Sequence, residues 1–253
     1  MASTVNVLGV GVSAVNMNLA AEEIDRWIET GRKEYVCVSG VHGVMECQRD
    51  PVLKAIHNRA GLVLPDGMPL AWWVRNAGRP DADRVCGPEF MPHLLNVLAH
   101  RSHYFYGATE ATLDRLCLEI RRRSAGARIV GAFAPPFRPL TTEEDVEVVR
   151  RINDSGADIV WVGLSTPKQE RWMAAHRQPL NAAALIGVGA AFDMMAGNVR
   201  RAPKFIRRTG LEWSYRLIVE PRRLWRRYLT NNPAFLLLAA AQISHLANFP
   251  ADR

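Results

Sequence analysis

A short apolar segment ending in an acidic turn is the clearest candidate for chemistry in this sequence. Leu62-Val63-Leu64-Pro65-Asp66-Gly67 predicts a buried strand that delivers the carboxylate of Asp66 to the strand's C-terminal end. In open α/β sheets ligands bind outside the carboxyl ends of the strands, and a carboxylate placed there can serve as a general base. Pro-Asp-Gly is also an ordinary turn signal, because proline fixes φ and glycine permits positive φ. On these residues alone both interpretations stay open.

Two further turns have the composition of phosphate-binding sites. Gly107-Ala108-Thr109 and Ser165-Thr166-Pro167-Lys168 each place small residues before a predicted helix, with Thr109 and Thr166 as candidate N-caps. Free N–H groups and the helix dipole favour phosphate at such a helix start, and Lys168 adds a positive charge. Gln169 follows Thr166 by three residues, which is also the spacing of a capping box.

Two other motifs are weaker. Gly9-x-Gly11-x-x-Ala14 loosely matches the dinucleotide-binding fingerprint, but no predicted helix begins inside it. Asp81-Ala82-Asp83 matches the DxD pattern that holds a metal ion in many sugar transferases, but it follows Gly78-Arg79-Pro80 and therefore predicts a surface turn. No metal site and no cofactor are expected. A nicotinamide-dependent oxidoreductase using the Gly9 turn remains the enzyme alternative.

The positive charge of the chain is concentrated in one segment. The whole chain carries +7, whereas residues 200–228 contain ten basic and two acidic residues and so carry +8. This asymmetry indicates an anionic partner at one place rather than a generally cationic protein. No nucleic-acid partner is expected. The sequence shows neither a secretory signal nor an apolar run long enough to span a membrane, and its four cysteines lack metal-site spacing, which predicts reduced thiols and a cytoplasmic protein.

Strands and helices alternate along residues 1–199. Several predicted strands are apolar throughout, which is typical of a parallel sheet covered on both faces. The predicted fold class is α/β, a doubly wound, mostly parallel Rossmann-like sheet in 1–199 followed by a basic helical C-terminal appendage in 200–253. The predicted strands are 5–12, 35–38, 62–65, 103–106, 128–133, 159–164 and 183–188, and the main helices are 18–30, 44–59, 69–76, 88–100, 109–123 and 141–156.

The appendage has the pattern of a basic amphipathic helix followed by a separate apolar helix at 234–246. The expected basic face is Arg222, Arg223, Arg226 and Arg227, and the expected apolar face is Leu224, Trp225, Tyr228 and Leu229. Such a helix is typical of proteins that bind a membrane surface or a polyanion, and an arginine-rich solvated face over a core stripe is the structural alternative. A non-catalytic polyanion- or membrane-binding module is therefore the second alternative function.

In their order along the chain, the motifs of this sequence resemble those of the WecG/TagA/CpsF family of bacterial glycosyltransferases (glycosyltransferase family 26). The matching residues are Leu64-Pro65-Asp66-Gly67, Arg84-Val85-x-Gly87, Gly163-x-x-x-Pro167-Lys168-Gln169-Glu170, Gly187-Val188-Gly189-x-x-Phe192-Asp193-x-x-Ala196-Gly197, Arg200-Arg201-Ala202-Pro203 and Gly210-Leu211-Glu212-Trp213-x-x-Arg216-Leu217-x-x-Glu220-Pro221-x-Arg223. The resemblance covers most of the chain.

This resemblance implies an inverting, metal-independent transfer of a sugar from a UDP-sugar to a polyprenyl-diphosphate-linked saccharide in cell-surface polysaccharide synthesis. The enzyme would need no cofactor, would lie peripherally on the inner face of the plasma membrane, and is a possible homo-oligomer. Asp66 is expected as the general base, Arg84 and Gln169 as contacts to donor or acceptor, and Arg216, Arg223 and Arg226 as a clamp on the diphosphate. Further expected substrate-binding residues are Ser39, His42, Gly107, Thr109, Lys168 and Asp193.

The sequence departs from the family pattern around the expected sugar pocket. Many relatives carry Thr-x-Asn where this chain has Ser39-Gly40-Val41, so valine stands in place of an amide. His42, one residue further on, is a candidate to replace that amide or an ordinary turn histidine. The donor sugar therefore stays open: glucose or mannose is as compatible with the sequence as N-acetylmannosamine.

Overall fold

The computed structural model describes residues 2–207 and 209–251, apart from the side chains of Lys204, Phe205 and Arg223. The chain forms two compact units. The first unit consists of Met1–Asn16, Val38–Cys86 and Arg200–Arg253, and the second unit consists of Met17–Cys37 and Gly87–Val199. Residues 200–253 thus belong to the same unit as the Asp66 turn. Their function as a membrane-contacting appendage stays a prediction.

The second unit is a βα succession. Its elements are α1 (Met17–Thr30), most of β3 (Glu34–Ser39), α5 (Gly87–Val97), β5 (Ser102–Gly107), α6 (Glu110–Arg123), β6 (Arg128–Phe133), α7 (Thr142–Asp154), β7 (Ile159–Gly163), α8 (Lys168–His176), β8 (Ala184–Gly187) and α9 (Ala191–Met195). The central strands are buried along their length, as the continuous apolar runs predicted. At the start of α7, Thr141 and Glu144 form a capping box.

The first unit combines a hairpin, one strand and six helices among its described residues. Its elements are β1 (Thr4–Val7), β2 (Val10–Ser13), α2 (Val41–Arg49), α3 (Pro51–Asn58), β4 (Leu62–Pro65), α4 (Met68–Asn76), α10 (Lys204–Arg207), α11 (Glu212–Val219) and α12 (Pro221–Ile243), together with the end of β3. The long helix α12 packs against α2 and α11.

Six strands form one sheet in the order β4-β3-β8-β7-β5-β6. The pairs β3–β8, β7–β8, β5–β7 and β5–β6 are parallel. Helices flank this sheet, so the prediction of an α/β, Rossmann-like fold with a C-terminal helix is confirmed. The strands β5 and β7 are parallel neighbours, so their C-terminal ends, from which the Gly107 and Ser165 turns emerge, lie at the same edge of the sheet.

Two expected elements are wrong in detail, each for a local reason. The expected strand 5–12 is an antiparallel hairpin, because Leu8 and Gly9 turn the chain with φ of 50° and 78°. The expected helix 44–59 is two helices: Asp50 caps α3 by accepting a hydrogen bond from the Leu53 N–H, and Pro51 occupies the first turn.

The C-terminal segment also differs from the prediction. The basic stretch and the apolar stretch form the single helix α12, which contains Pro233, rather than two helices. Its buried side chains include Leu224, Asn231, Phe235 and Ala239, and this spacing marks one inward stripe. Within the part of the chain that the structure describes, no helix is long and apolar enough to cross a membrane.

Candidate functional site

The Pro-Asp-Gly turn is both a turn and a means of presenting a carboxylate. β4 ends at Pro65, and the Asp66 N–H donates a hydrogen bond to the Ser39 carbonyl at 2.9 Å, which extends the strand pairing by one residue. Gly67 then adopts φ of 107° and ψ of 151°, a region open essentially to glycine alone, and α4 begins at Met68. The side chain of Asp66 is thereby fixed at the strand's C-terminal end.

A backbone hydrogen bond of the next residue, Val85, positions Arg84 at this strand end. The Val85 N–H donates to the Pro65 carbonyl at 3.0 Å, so the chain around Arg84 runs alongside the end of β4. The side chain of Arg84 is only 6% exposed, and its Nη1 donates to Glu212 Oε2 at 2.8 Å. A buried guanidinium bonded to a carboxylate of α11 therefore lies beside the Asp66 turn.

The carboxylate of Asp66 is surrounded by charges. It has no hydrogen-bond partner among the described residues, although part of its surface remains accessible to solvent. Burial and then the negative charge of Glu212 raise its pKa to about 6, against the lowering effect of Arg84, Arg216 and Arg201. A carboxylate with a pKa near neutrality, unpaired and accessible, has the properties of a general base.

Arg216 retains unused hydrogen-bonding capacity near this carboxylate. Its Nε is buried and has no partner in the described part of the chain, and its Nη2 lies 3.7 Å from Glu220 Oε2. Tyr228 of α12 belongs to the same group, since the charges of Arg216, Arg227, Asp66 and Glu212 all act on its pKa, which burial raises. A buried guanidinium donor without a partner is suited to an anionic ligand.

His42 lies in the first turn of α2, close to the Asp66 turn. Gly40, which precedes α2, packs so tightly that a Cβ there would lie 2.6 Å from the Asp66 carbonyl oxygen. The Ser39 hydroxyl is turned inward: it is buried and lies 3.2 Å from Nε2 of the fully buried His57. The predicted contact of Ser39 and His42 with substrate stays a prediction, but only His42 is partly exposed.

The Gly107 turn belongs to the second unit. Gly107 adopts φ of 125° and pairs with Gly163 so closely that a Cβ would lie 2.6 Å from the Gly163 carbonyl oxygen. Thr109 caps α6 as expected, accepting a hydrogen bond from the Thr112 N–H. Asp193 accepts hydrogen bonds from the Thr112 hydroxyl at 3.4 Å and from Asn198 Nδ2 at 3.1 Å. Gly107, Thr109 and Asp193 thus share one edge of this unit, and their binding of substrate stays a prediction.

The turn before α8 differs from its predicted local structure. Pro167 occupies the N-cap position, and the Thr166 hydroxyl donates to Glu170 Oε1 at 2.8 Å instead of capping the helix. Gln169 closes no capping box: it is buried, its Oε1 accepts from the Gly189 N–H at 3.0 Å, and its Nε2 donates to Glu170. Lys168 is exposed. The binding of substrate by Gln169 and Lys168 stays a prediction.

The two weaker motifs have structural explanations. Gly9 lies in the hairpin turn between β1 and β2, so its motif does not join a strand to a helix as a dinucleotide-binding loop does. Asp81 lies in a turn, and Asp83 accepts hydrogen bonds from Arg75 Nη2 and from the Arg84 N–H. No group of three His, Cys, Asp or Glu side chains that could hold a metal ion occurs among the described residues.

The arginines predicted to close over the diphosphate are placed differently from one another. Arg216 lies with Arg84, Arg201 and Glu212 around Asp66, and these residues are called the Asp66 cluster. Arg226 is exposed on the outward face of α12, with its guanidinium 5.2 Å from the ring centroid of Trp225. The side chain of Arg223 lies outside the described part of the structure. For Arg223 and Arg226, contact with the diphosphate stays a prediction.

Sequence reasoning missed five residues that surround Asp66 and His42. They are Arg201, Glu212, Arg227, Tyr228 and Asn231. The signal for the last three was helical periodicity, because positions 224, 227, 228, 231 and 235 lie on one stripe of a single helix. The predicted faces of this helix were wrong: Arg227 belongs to the inward stripe, whereas Trp225 and Leu229 are exposed on the same face as Arg226. For Arg201 and Glu212 the charge pattern alone gave no indication of which residues turn inward.

The raised pKa of Asp66 predicts a stability effect. Because the pKa is higher in the folded state than the ordinary 3.8, ionisation lowers stability as pH rises from about 4 to about 6. Asp66→Asn should therefore raise the free energy of unfolding by about 1–3 kcal/mol at pH 7.5 and by much less near pH 4. Urea denaturation at both pH values measures this difference.

Glu144→Gln is the matched control, and its expected effect on the free energy of unfolding has the opposite sign. Hydrogen bonds from Arg138 and from the Thr141 N–H lower the pKa of Glu144 to about 2, so its loss should destabilise the protein at neutral pH. An Asp66→Asn variant that is destabilised at pH 7.5 would contradict the proposed electrostatics of the cluster.

Comparison with known proteins places the chain in a family. The Glycosyl transferase WecG/TagA/CpsF family model matches residues 5–248. The chain is 29% identical over 206 residues to the N-acetylglucosaminyldiphosphoundecaprenol N-acetyl-beta-D-mannosaminyltransferase of Bacillus spizizenii, covering 81% of this chain and 78% of that enzyme. It is also 29% identical over 182 residues to the Staphylococcus aureus enzyme of the same name, covering 71% of this chain and 68% of that enzyme. The protein therefore belongs to the WecG/TagA/CpsF family and is a glycosyltransferase.

Proposed function

We propose that this protein moves a sugar from a UDP-sugar to a polyprenyl-diphosphate-linked saccharide, with inversion at the anomeric carbon and without a metal ion. The observation that carries the proposal is Asp66, an accessible carboxylate with no hydrogen-bond partner among the described residues and with its pKa raised to about 6. It lies at the end of a sheet strand among the guanidinium groups of Arg84, Arg201 and Arg216. The names of the relatives, which specify an N-acetylglucosaminyldiphosphoundecaprenol acceptor, support the class of acceptor.

The proposed step is a single displacement. The acceptor hydroxyl gives its proton to Asp66 while its oxygen forms a bond to the anomeric carbon of the donor. The bond between that carbon and the β-phosphate oxygen breaks, and UDP leaves with the electron pair. Because the acceptor attacks the face opposite the leaving group, the configuration at the anomeric carbon inverts.

The leaving diphosphate needs positive charge, which the arginines of the first unit supply. Guanidinium groups match phosphate oxygens with two parallel donors, and Arg216 holds an unused buried Nε–H. Arg84 is bonded to Glu212, so an incoming phosphate takes over a guanidinium that a carboxylate now holds. When the donor diphosphate replaces Glu212 as the partner of Arg84, the positive charge of this guanidinium becomes available to stabilise the leaving UDP.

The outward face of α12 supplies a surface for the lipid-linked acceptor. Its exposed side chains include Arg222, Trp225, Arg226, Leu229, Leu236, Leu237 and Ile243, which are spaced along one stripe. Cationic groups attract anionic headgroups, whereas tryptophan and leucine enter the interface. We propose that this stripe holds the enzyme on the inner face of the plasma membrane, where the acceptor resides.

Asp66→Asn should abolish transfer and leave UDP binding intact. Removal of a general base costs about 10²–10⁴-fold in turnover, whereas the diphosphate contacts come from arginines. The measurement uses purified protein, an N-acetylglucosaminyl-diphospho-polyprenol acceptor and a panel of UDP-sugars that includes N-acetylmannosamine, glucose and mannose donors. Product mass identifies the sugar, and titration calorimetry measures UDP binding. Near-normal turnover by the variant would exclude Asp66 as the base and favour a non-catalytic role.

The pH dependence of kcat/KM should show an acid limb near pH 6, because Asp66 must be ionised to accept a proton. Glu212→Gln removes the like charge that raises this pKa, so its limb should move to lower pH. Arg216→Gln removes a charge that lowers the pKa, so its limb should move to higher pH. If both variants kept the wild-type limb, Asp66 would not be the titrating group.

The double change Trp225→Ser with Leu229→Ser should weaken binding to phosphatidylglycerol vesicles by at least about tenfold, since each apolar side chain contributes about 1–2 kcal/mol when it enters the interface. Leu118→Ser, a change at a leucine that is 64% exposed on α6, is the matched control and should bind like wild type. Co-sedimentation measures both. Equal binding by the double variant and the control would refute the proposed membrane stripe.

A further inference from the structure

A buried amide connects the Asp66 neighbourhood to the C-terminal helix. Asn231 of α12 is 2% exposed. Its Nδ2 lies 2.9 Å from Nδ1 of His42, and its Oδ1 lies 2.7 Å from Nη2 of Arg49, both residues of α2. The other terminal nitrogen of Arg49 donates to Glu46 at 2.8 Å. The amide is therefore hydrogen-bonded at both ends, which is what a buried polar group requires.

These bonds determine where the proton of His42 resides. A guanidinium is only a donor, so the atom of Asn231 that faces Arg49 must be its oxygen. The amide nitrogen then faces His42 and donates, which makes Nδ1 of His42 an acceptor. In a neutral imidazole the proton consequently resides on Nε2, and this nitrogen has no hydrogen-bond partner in the part of the chain that the structure describes.

The charges around the ring keep it neutral. Burial, followed by the positive charges of Arg227 and Arg49, lowers the pKa of His42 to about 4. Glu46 is the acidic group on the same side, with Oε1 3.7 Å from Nδ1. At neutral pH His42 therefore offers one fixed N–H donor and no net charge, and its side chain remains 25% exposed.

We propose that Arg49 and Asn231 hold His42 as a neutral Nε2–H donor for an uncharged oxygen, a hydroxyl or an acyl carbonyl, of the transferred sugar. The assignment rests on the proposed function. The arginines of the cluster already match phosphate, so a neutral donor adjacent to the Asp66 turn contributes to sugar recognition instead. A site that donates to a substrate oxygen rejects sugars lacking that oxygen, because the bound sugar would then remove water from the donor without pairing it. Asn231 is a positioning residue in this arrangement.

Two amide substitutions at His42 distinguish the roles of its two ring nitrogens. In His42→Gln the amide nitrogen reaches the place of Nε2 and keeps a donor there, so kcat/KM for the UDP-sugar should stay within about threefold of wild type. In His42→Asn the side chain reaches only the place of Nδ1, so kcat/KM should fall about tenfold or more. The affinity for UDP alone should be unchanged in both. Equal activities of the two variants, or a parallel loss of UDP affinity, would overturn the sugar contact.

Asn231→Asp tests the chain of hydrogen bonds from Arg49 through Asn231 to His42, and the substituted side chain has the same size. The carboxylate accepts the proton of Nδ1, which leaves Nε2 without a hydrogen in the neutral ring. The ¹³C and ¹⁵N shifts of the His42 ring should report the Nε2–H tautomer in wild type and its loss in the variant, with the exposed His245 as internal reference. The ratio of variant to wild-type kcat/KM should be lowest at pH 8 and rise as the pH falls, because the protonated ring regains its Nε2–H. A wild-type ring protonated on Nδ1 would overturn the assignment.

These outcomes are distinct from failure of the proposed function. If wild-type protein transferred no sugar from any UDP-sugar, the transferase assignment and the sugar contact would both fall. If wild-type protein is active and the two His42 variants have the same kcat/KM, only the proposed role of His42 is refuted.

Discussion

The arrangement of the first unit depends on one unfavourable interaction: a carboxylate kept at a strand end without a hydrogen-bond partner among the described residues. Burial and the nearby Glu212 oppose ionisation of Asp66, while three arginines favour it, and the balance leaves its pKa near 6. A fully paired aspartate would be more stable and a poorer base. Gly67, with a backbone conformation open essentially to glycine, and the hydrogen bond between Val85 and Pro65 hold this carboxylate in place.

The long helix α12 serves two surfaces at once. Its inward stripe supplies Asn231, which hydrogen-bonds to His42, and Tyr228, whose pKa the charge of Asp66 helps to raise. Its outward stripe carries exposed arginine, tryptophan and leucine side chains. In the proposed function, a rigid helix links membrane contact to the residues that position substrate.

The part of the fold that the sequence predicted best is the part in which local rules suffice. Strand β6 and helix α7 were placed correctly because apolar runs and helix caps are properties of adjacent residues. The hairpin at Gly9 and the helix break at Pro51 were missed although their signals are local. Thr166 was expected to cap α8, but its hydroxyl donates a hydrogen bond to the carboxylate of Glu170, which is buried in the tertiary structure.

By itself the sequence determined the catalytic candidate and the family, since Leu64-Pro65-Asp66-Gly67, Arg84 and the Arg200-to-Arg223 motifs are contiguous patterns. Only the tertiary structure decided which charges surround Asp66. Glu212 and Arg216 lie far from it along the chain, and their effect on its pKa depends on distance and burial, which composition does not encode. The same reason explains His42: its tautomer follows from an amide 189 positions away, held in turn by Arg49.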